Sequence, residues 1–83
     1  MQLLLLGTAG CHLCEEAEYI LAEYGKQHRN LILDIIDIAE QTKWQDSYAV
    51  RIPVLYHPAT QSDLGWPFDL PAVTHFLSGL DND

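Results

Sequence analysis

Hydrophobic positions along this chain fall into two alternating kinds of segment. Short apolar runs occur at Leu3 to Leu6, where both faces are apolar, at Leu31 to Ile38 and at Ile52 to Tyr56. Such runs predict buried strands, and Gln2 to Leu6 is read as a central one. Stepped spacing marks the helices between them. Leu13, Ala17, Ile20, Leu21, Tyr24 and His28 advance by four, three, one, three and four residues, which is one face of an amphipathic helix. Gly7-Thr8-Ala9-Gly10 separates that helix from the first strand and supplies backbone freedom for the turn. Glu15, Glu16 and Glu18 suit the positive end of its macrodipole, Lys26 and Arg29 the negative end, and Asn30 is placed to cap it.

The second half repeats the alternation less regularly. Ala39 to Tyr48 reads as a weaker helical segment, with Trp44 and Tyr48 four apart as a buried pair. His57 to Asp63 carries Pro, Ser and Asp and reads as a hairpin connection to a short fourth strand, Leu64 to Phe68. On that strand Trp66 and Phe68 share a face, expected to be core under the last helix. Asp69 has the character of an N-cap, with Pro71 in the first turn and Val73, Phe76, Leu77 and Leu80 as the apolar stripe. Asp81-Asn82-Asp83 is expected to fray.

Strand, helix, strand with short connections predicts a right-handed βαβ unit with parallel strands. Asp34 and Asp37 fall on opposite faces of the second strand, which suits the edge of a sheet. Strands joined by a hairpin are antiparallel. The expectation is therefore an α/β fold in the order β-α-β-α-β-β-α, a four-stranded mixed sheet flanked by helices. Eighty-three residues make a single domain, 1–83.

Charge narrows the function classes. The net charge is −8, and Lys26, Arg29, Lys43 and Arg51 are the four fixed cations, which argues against nucleic-acid or anionic-membrane partners. No run approaches the roughly 18 apolar residues of a membrane span. Met1 to Leu6 lacks the basic flank and length of a signal peptide. A cytoplasmic location is expected, where a purely structural disulfide does not persist. The two cysteines, Cys11 and Cys14, then point to redox or metal work.

A Cys-x-x-Cys that follows a strand and opens a helix has the layout of a thiol–disulfide site. Helical phase separates the two sulfurs. Cys14 shares a row with Ala17 and Leu21 at the edge of the buried face, whereas Cys11 lines up with Glu15, Glu18 and Ala22 on the exposed side. Cys11 is thus the candidate nucleophile and Cys14 the resolving thiol. The helix N-terminus favours a Cys11 thiolate, and Glu15 opposes it more weakly, since exposed helical charge pairs are worth only about 0.2–0.5 kcal/mol. His12 is either a positive neighbour of the sulfurs or a solvated side chain. Zinc needs four ligands, and His28, His57 and His75 are scattered, so no metal site is expected, although a metal-binding use of the same cysteines stays open. His57 is read as a turn residue and His75 as a helix-surface one.

Three motifs carry a family resemblance that spans essentially the whole chain. Cys11-His12-Leu13-Cys14, Arg51-Ile52-Pro53-Val54 and Trp66-Pro67-Phe68-Asp69, in this order of elements, resemble the thioredoxin superfamily in its compact glutaredoxin-like form, most closely a bacterial branch. The resemblance implies a thioredoxin-like fold and a small thiol–disulfide oxidoreductase or electron carrier with no tightly bound cofactor. It also implies a cis peptide before Pro53, which would leave the Ile52 backbone to pair with an extended substrate beside Cys11. Arg51 is then a solvated strand-end charge or a contact to an anionic substrate. Implied partners are disulfide-containing proteins or small thiols, with reduction by glutathione as co-substrate or by a thioredoxin-type reductase, acting on a monomer. Thr8 and Ala9 stand where glutaredoxins usually carry a cation for a glutathione carboxylate, Arg51 stands where they usually carry Thr, and only Gly65 and Asp69 echo their Gly-Gly and Asp step. These departures count against glutathione. The alternative from another class is a redox-inactive thioredoxin-fold binding module.

Overall fold

The computed structural model describes residues 1–40, 44, 48 and 51–80. Strand β1 spans Gln2–Gly7, helix α1 His12–Gln27, and strand β2 Ile32–Asp37, followed by a short 3-10 turn at Ile38–Glu40. Strands β3 (Val54–His57) and β4 (Ser62–Gly65) form the hairpin, and helix α2 (Leu70–Leu80) closes the chain. The sheet order is β2-β1-β3-β4. β1 and β2 are parallel and in register from Gln2↔Ile32 to Gly7↔Asp37, whereas β1 to β3 and β3 to β4 are antiparallel. The sheet is mixed, as the βαβ unit and hairpin required, and β2 lies at its edge. The expected helix over Ala39 to Tyr48 and the tail 81–83 fall largely outside the described residues.

Strict alternation along β1 and β3 divides the interior into two clusters. Leu3, Leu5 and Leu55 point to α1 and α2, where they meet Ala17, Leu21, Val73, Leu77 and Phe68. Leu6 and Val54 point the other way, to Ile38 and Tyr48, with Trp44, Ile52 and Tyr56 packed around them. A strand apolar on both faces is therefore the one buried on both faces. Helix α2 starts as its sequence prescribes: the Asp69 carboxylate accepts from the Ala72 backbone N–H at 2.9 Å.

Four boundaries differ from the pattern-based reading. β3 begins at Val54 rather than Ile52, because Pro53 has no N–H to give the ladder. β4 runs over Ser62–Gly65 rather than Leu64 to Phe68: the turn closes early, with Gln61 N–H donating to the His57 carbonyl at 2.8 Å, and Pro67 cannot continue the strand. Trp66 and Phe68 nonetheless pack ring to ring at 5.0 Å against the core under α2. His57 is not a turn residue but ends β3, 2% exposed, its Nδ1 2.7 Å from Thr60 Oγ1. Helix α1 is capped by His28 rather than Asn30, and His28 stacks on Tyr24 at 3.9 Å between centroids. Leu13, assigned by periodicity to the buried face, is 43% exposed, because the buried row of α1 is Cys14, Ala17 and Leu21.

Candidate active site

The site lies where β1 ends and α1 begins. Cys11 is the N-cap of α1, with extended backbone (φ −87°, ψ 109°), and its Sγ accepts from the Cys14 backbone N–H at 3.1 Å. That contact satisfies one of the donors a helix N-terminus leaves open, and it fixes the first sulfur at the positive end of the macrodipole. Cys11 and Cys14 are joined as a disulfide with 5.2 Å between their Cα atoms. Cys11 is half-buried, whereas Cys14 is 4% exposed. Helical phase anticipated this asymmetry.

Cys14 occupies space left by Gly7, which the sequence placed only in the turn. A Cβ built on Gly7 would stand 2.7 Å from Cys14 Sγ, closer than real side chains approach. Gly7 thus gives the second sulfur its room by having no side chain. β1 pairs Leu6 with Val54. Pro53 immediately precedes that last pair and is buried. The Ile52–Pro53 and Trp66–Pro67 peptide bonds are cis, and the Pro53 carbonyl accepts from the Trp66 N–H at 3.1 Å.

The two charged candidates point elsewhere. His12 is exposed, and its Nε2 lies 3.2 Å from Glu16 Oε2 one turn along α1. Arg51 is engaged within the protein. Its guanidinium donates to Asp63 Oδ1 at 3.2 Å and lies 5.1 Å over the Tyr48 ring, whose hydroxyl donates to Asp63 Oδ2 at 2.8 Å. Burial, reinforced by the Asp63 hydrogen bond, pushes the Tyr48 phenol up to about 12. Tyr48 and Asp63 were not read as site neighbours from sequence; an Arg two residues before a Pro and an Asp in the facing strand were the available signal. Among the described residues, no group of three or more His, Cys, Asp or Glu side chains is placed to hold a metal ion. No helix among them is long and apolar enough to cross a membrane.

A parallel βα unit whose helix opens on a disulfide, joined to an antiparallel hairpin that begins at a buried cis-proline, defines a thioredoxin-like fold with a Cys-x-x-Cys centre. The family model of the glutaredoxin-like domain matches residues 2–78, and the chain belongs to that family. The chain is also similar to a structural-genomics target protein, XcR50, from X. campestris. Its X-ray structure matches with a TM-score of 0.77 and 32% identity over 93% of this chain and 96% of that one. Its solution structure gives 0.74 and 33% over 95% of each. None of the curated proteins matches this chain.

Proposed function

We propose that the protein is a thiol–disulfide oxidoreductase that cycles between the Cys11–Cys14 disulfide and its dithiol. The observation that carries this reading is the disulfide itself, built between the N-cap and the first turn of α1 with one sulfur half-buried and the other covered. In the reduced form the Cys11 thiolate attacks one sulfur of a substrate disulfide. A Cys11–substrate bond forms, and the other substrate sulfur leaves as a thiolate that takes up a proton. Cys14, losing its proton, then attacks Cys11 Sγ and releases the second substrate thiol. The substrate gains two electrons and two protons, and the protein is left oxidised. An external thiol or dithiol reverses the sequence.

Three features shape the chemistry. The N-cap position stabilises a Cys11 thiolate, both as attacking and as leaving group. Gly7 keeps Cys14 in the covered position from which it reaches Cys11. Arg51 is paired with Asp63, and Thr8 and Ala9 precede the dithiol where a cation for a glutathione carboxylate would be expected. These features favour a dithiol reductant of the thioredoxin-reductase kind over glutathione.

The reading is tested by equilibrating the protein in a series of redox buffers and counting free thiols with an alkylating mass tag. A reversible two-electron transition is expected, together with a Cys14→Ser variant that accumulates a stable mixed disulfide on Cys11. A dithiol that never re-forms its disulfide on oxidation, or that forms no mixed disulfide, would sink the proposal.

A further inference from the structure

The structure points to a second element of this site. We propose that the cleft beside Cys14 is a specificity pocket for a lysine or arginine side chain of a polypeptide disulfide substrate. The inference rests on the dithiol exchange described above and adds to it the class of substrate.

The cleft has a volume of about 220 Å³ and lies between the end of β1, the edge strand β2 and the first turns of α1. Its walls include Leu5, Gly7, Ile35 and the Cys14 side chain, and its rim carries Glu18 and Asp37. Ile35 is 57% exposed, although it shares its register position with Leu5, whose face of the sheet is covered by helices. Helix α1 therefore stops short of the β2 edge, and the strip left open is apolar.

An apolar trough ending in two carboxylates matches one kind of side chain. Lysine and arginine have hydrocarbon stems that pack along apolar surface while the charged head reaches a polar rim. Neither carboxylate is ion-paired among the described residues, while Lys26 is held by Glu23 at 2.9 Å and Arg51 by Asp63 at 3.2 Å. Asp37 Oδ1 accepts from the Ala39 N–H at 2.9 Å, which fixes the carboxylate and leaves its second oxygen for a guest. The cleft also touches the resolving sulfur. A polypeptide tethered to Cys11 as a mixed disulfide is held within one or two residues of it, so a basic residue flanking the substrate cysteine is the one positioned to enter. With a net charge of −8, the whole molecule favours approach of such a partner.

The test compares two disulfide-linked peptides that differ only in lysine versus norleucine beside the cysteine. For turnover the protein is kept in its dithiol form by an external dithiol. Separately, oxidised, isotope-labelled protein is titrated with cysteine-free versions of both peptides while its amide resonances are followed. The lysine peptide is expected to be reduced with a kcat/KM about fivefold higher, the size of two exposed charge pairs. The preference should shrink to near unity in the Glu18→Gln/Asp37→Asn double variant, in which the Asn still accepts from Ala39. Equal rates in the unaltered protein, or a preference that survives the double substitution, overturn the pocket. If neither peptide nor hydroxyethyl disulfide is reduced, it is the dithiol reading that fails, and the resonances decide the cleft separately. Shifts at Glu18 and Ile35 to Asp37 caused by the lysine peptide alone support it; their absence overturns it.

Discussion

The Pro53 end of the hairpin and the β2 side of the sheet are built on opposite electrostatic terms. On the Pro53 flank, Arg51, Tyr48 and Asp63 close on one another: one carboxylate accepts from a phenol and a guanidinium, and the guanidinium covers the phenol ring. On the β2 flank, Glu18 and Asp37 rim an apolar cleft and meet no cation among the described residues. The difference is not one of composition, because the whole chain is acidic. It lies in where the few cations are bound. Where a carboxylate has an internal partner the surface is finished; where it has none, the surface keeps a field that a partner can answer.

Filling Gly7, which lines the cleft, should do the most damage. Gly7→Ala drives a methyl group into Cys14 Sγ and is expected to cost up to about 3 kcal/mol of stability, read as a lower urea midpoint. An unchanged midpoint would mean that the sulfur moves aside freely. Next comes the closed flank. Asp63→Ala leaves the Tyr48 hydroxyl buried without its acceptor and frees Arg51, for a loss of roughly 2 kcal/mol. The same variant should gain reactivity toward anionic disulfides such as oxidised glutathione, and no gain there would show that Arg51 is not being withheld by its partner.

A smaller effect is set by pH. The Tyr48 phenol ionises at 10.0 when unperturbed and at about 12 in the fold, so the fold favours its protonated form. That contribution is complete below pH 10.0 and is lost as pH rises toward about 12. Stability should therefore fall across this alkaline window, and Tyr48→Phe should flatten the slope there. A slope that persists in the variant would assign it to other groups. The smallest expected effect belongs to a position remote from both flanks: Asp69→Ala removes the α2 N-cap and should cost about 1 kcal/mol without altering substrate preference.

Much of this architecture can be read locally in the chain. The uninterrupted Leu3 to Leu6 run marks the strand buried on both faces, and Asp69 before Leu70-Pro71 marks a helix start, because each signal is carried by adjacent residues. Helical phase likewise distinguishes Cys11 from Cys14. Features that depend on a distant partner are less legible. Ser62 and Asp63 look like loop, yet they form β4, since an edge strand is defined by pairing with β3 rather than by its own hydrophobicity. His57 beside Pro58 looks like turn, but the sheet carries it into the interior and Thr60 receives its ring. The role of Gly7 depends on a contact with a sulfur seven residues away, and the cleft depends on how far α1 extends over β2. No periodicity encodes either distance.

Strand β2 carries one further consequence. Its outer side has no neighbour in the sheet, and Ile32 and Ile35 are exposed along it. A row of open backbone groups flanked by isoleucines invites a second copy to add itself as a fifth strand. Asp34 stands in the middle of that row, held by Gln2 Nε2 at 2.9 Å, and Asp37 stands at its end. Two copies meeting edge to edge would bring these carboxylates together, which disfavours that pairing. Replacing Asp34 with isoleucine should remove the central guard and make sedimentation depend on concentration. Acidic side chains therefore shape both the cleft beside Cys14 and the edge of β2.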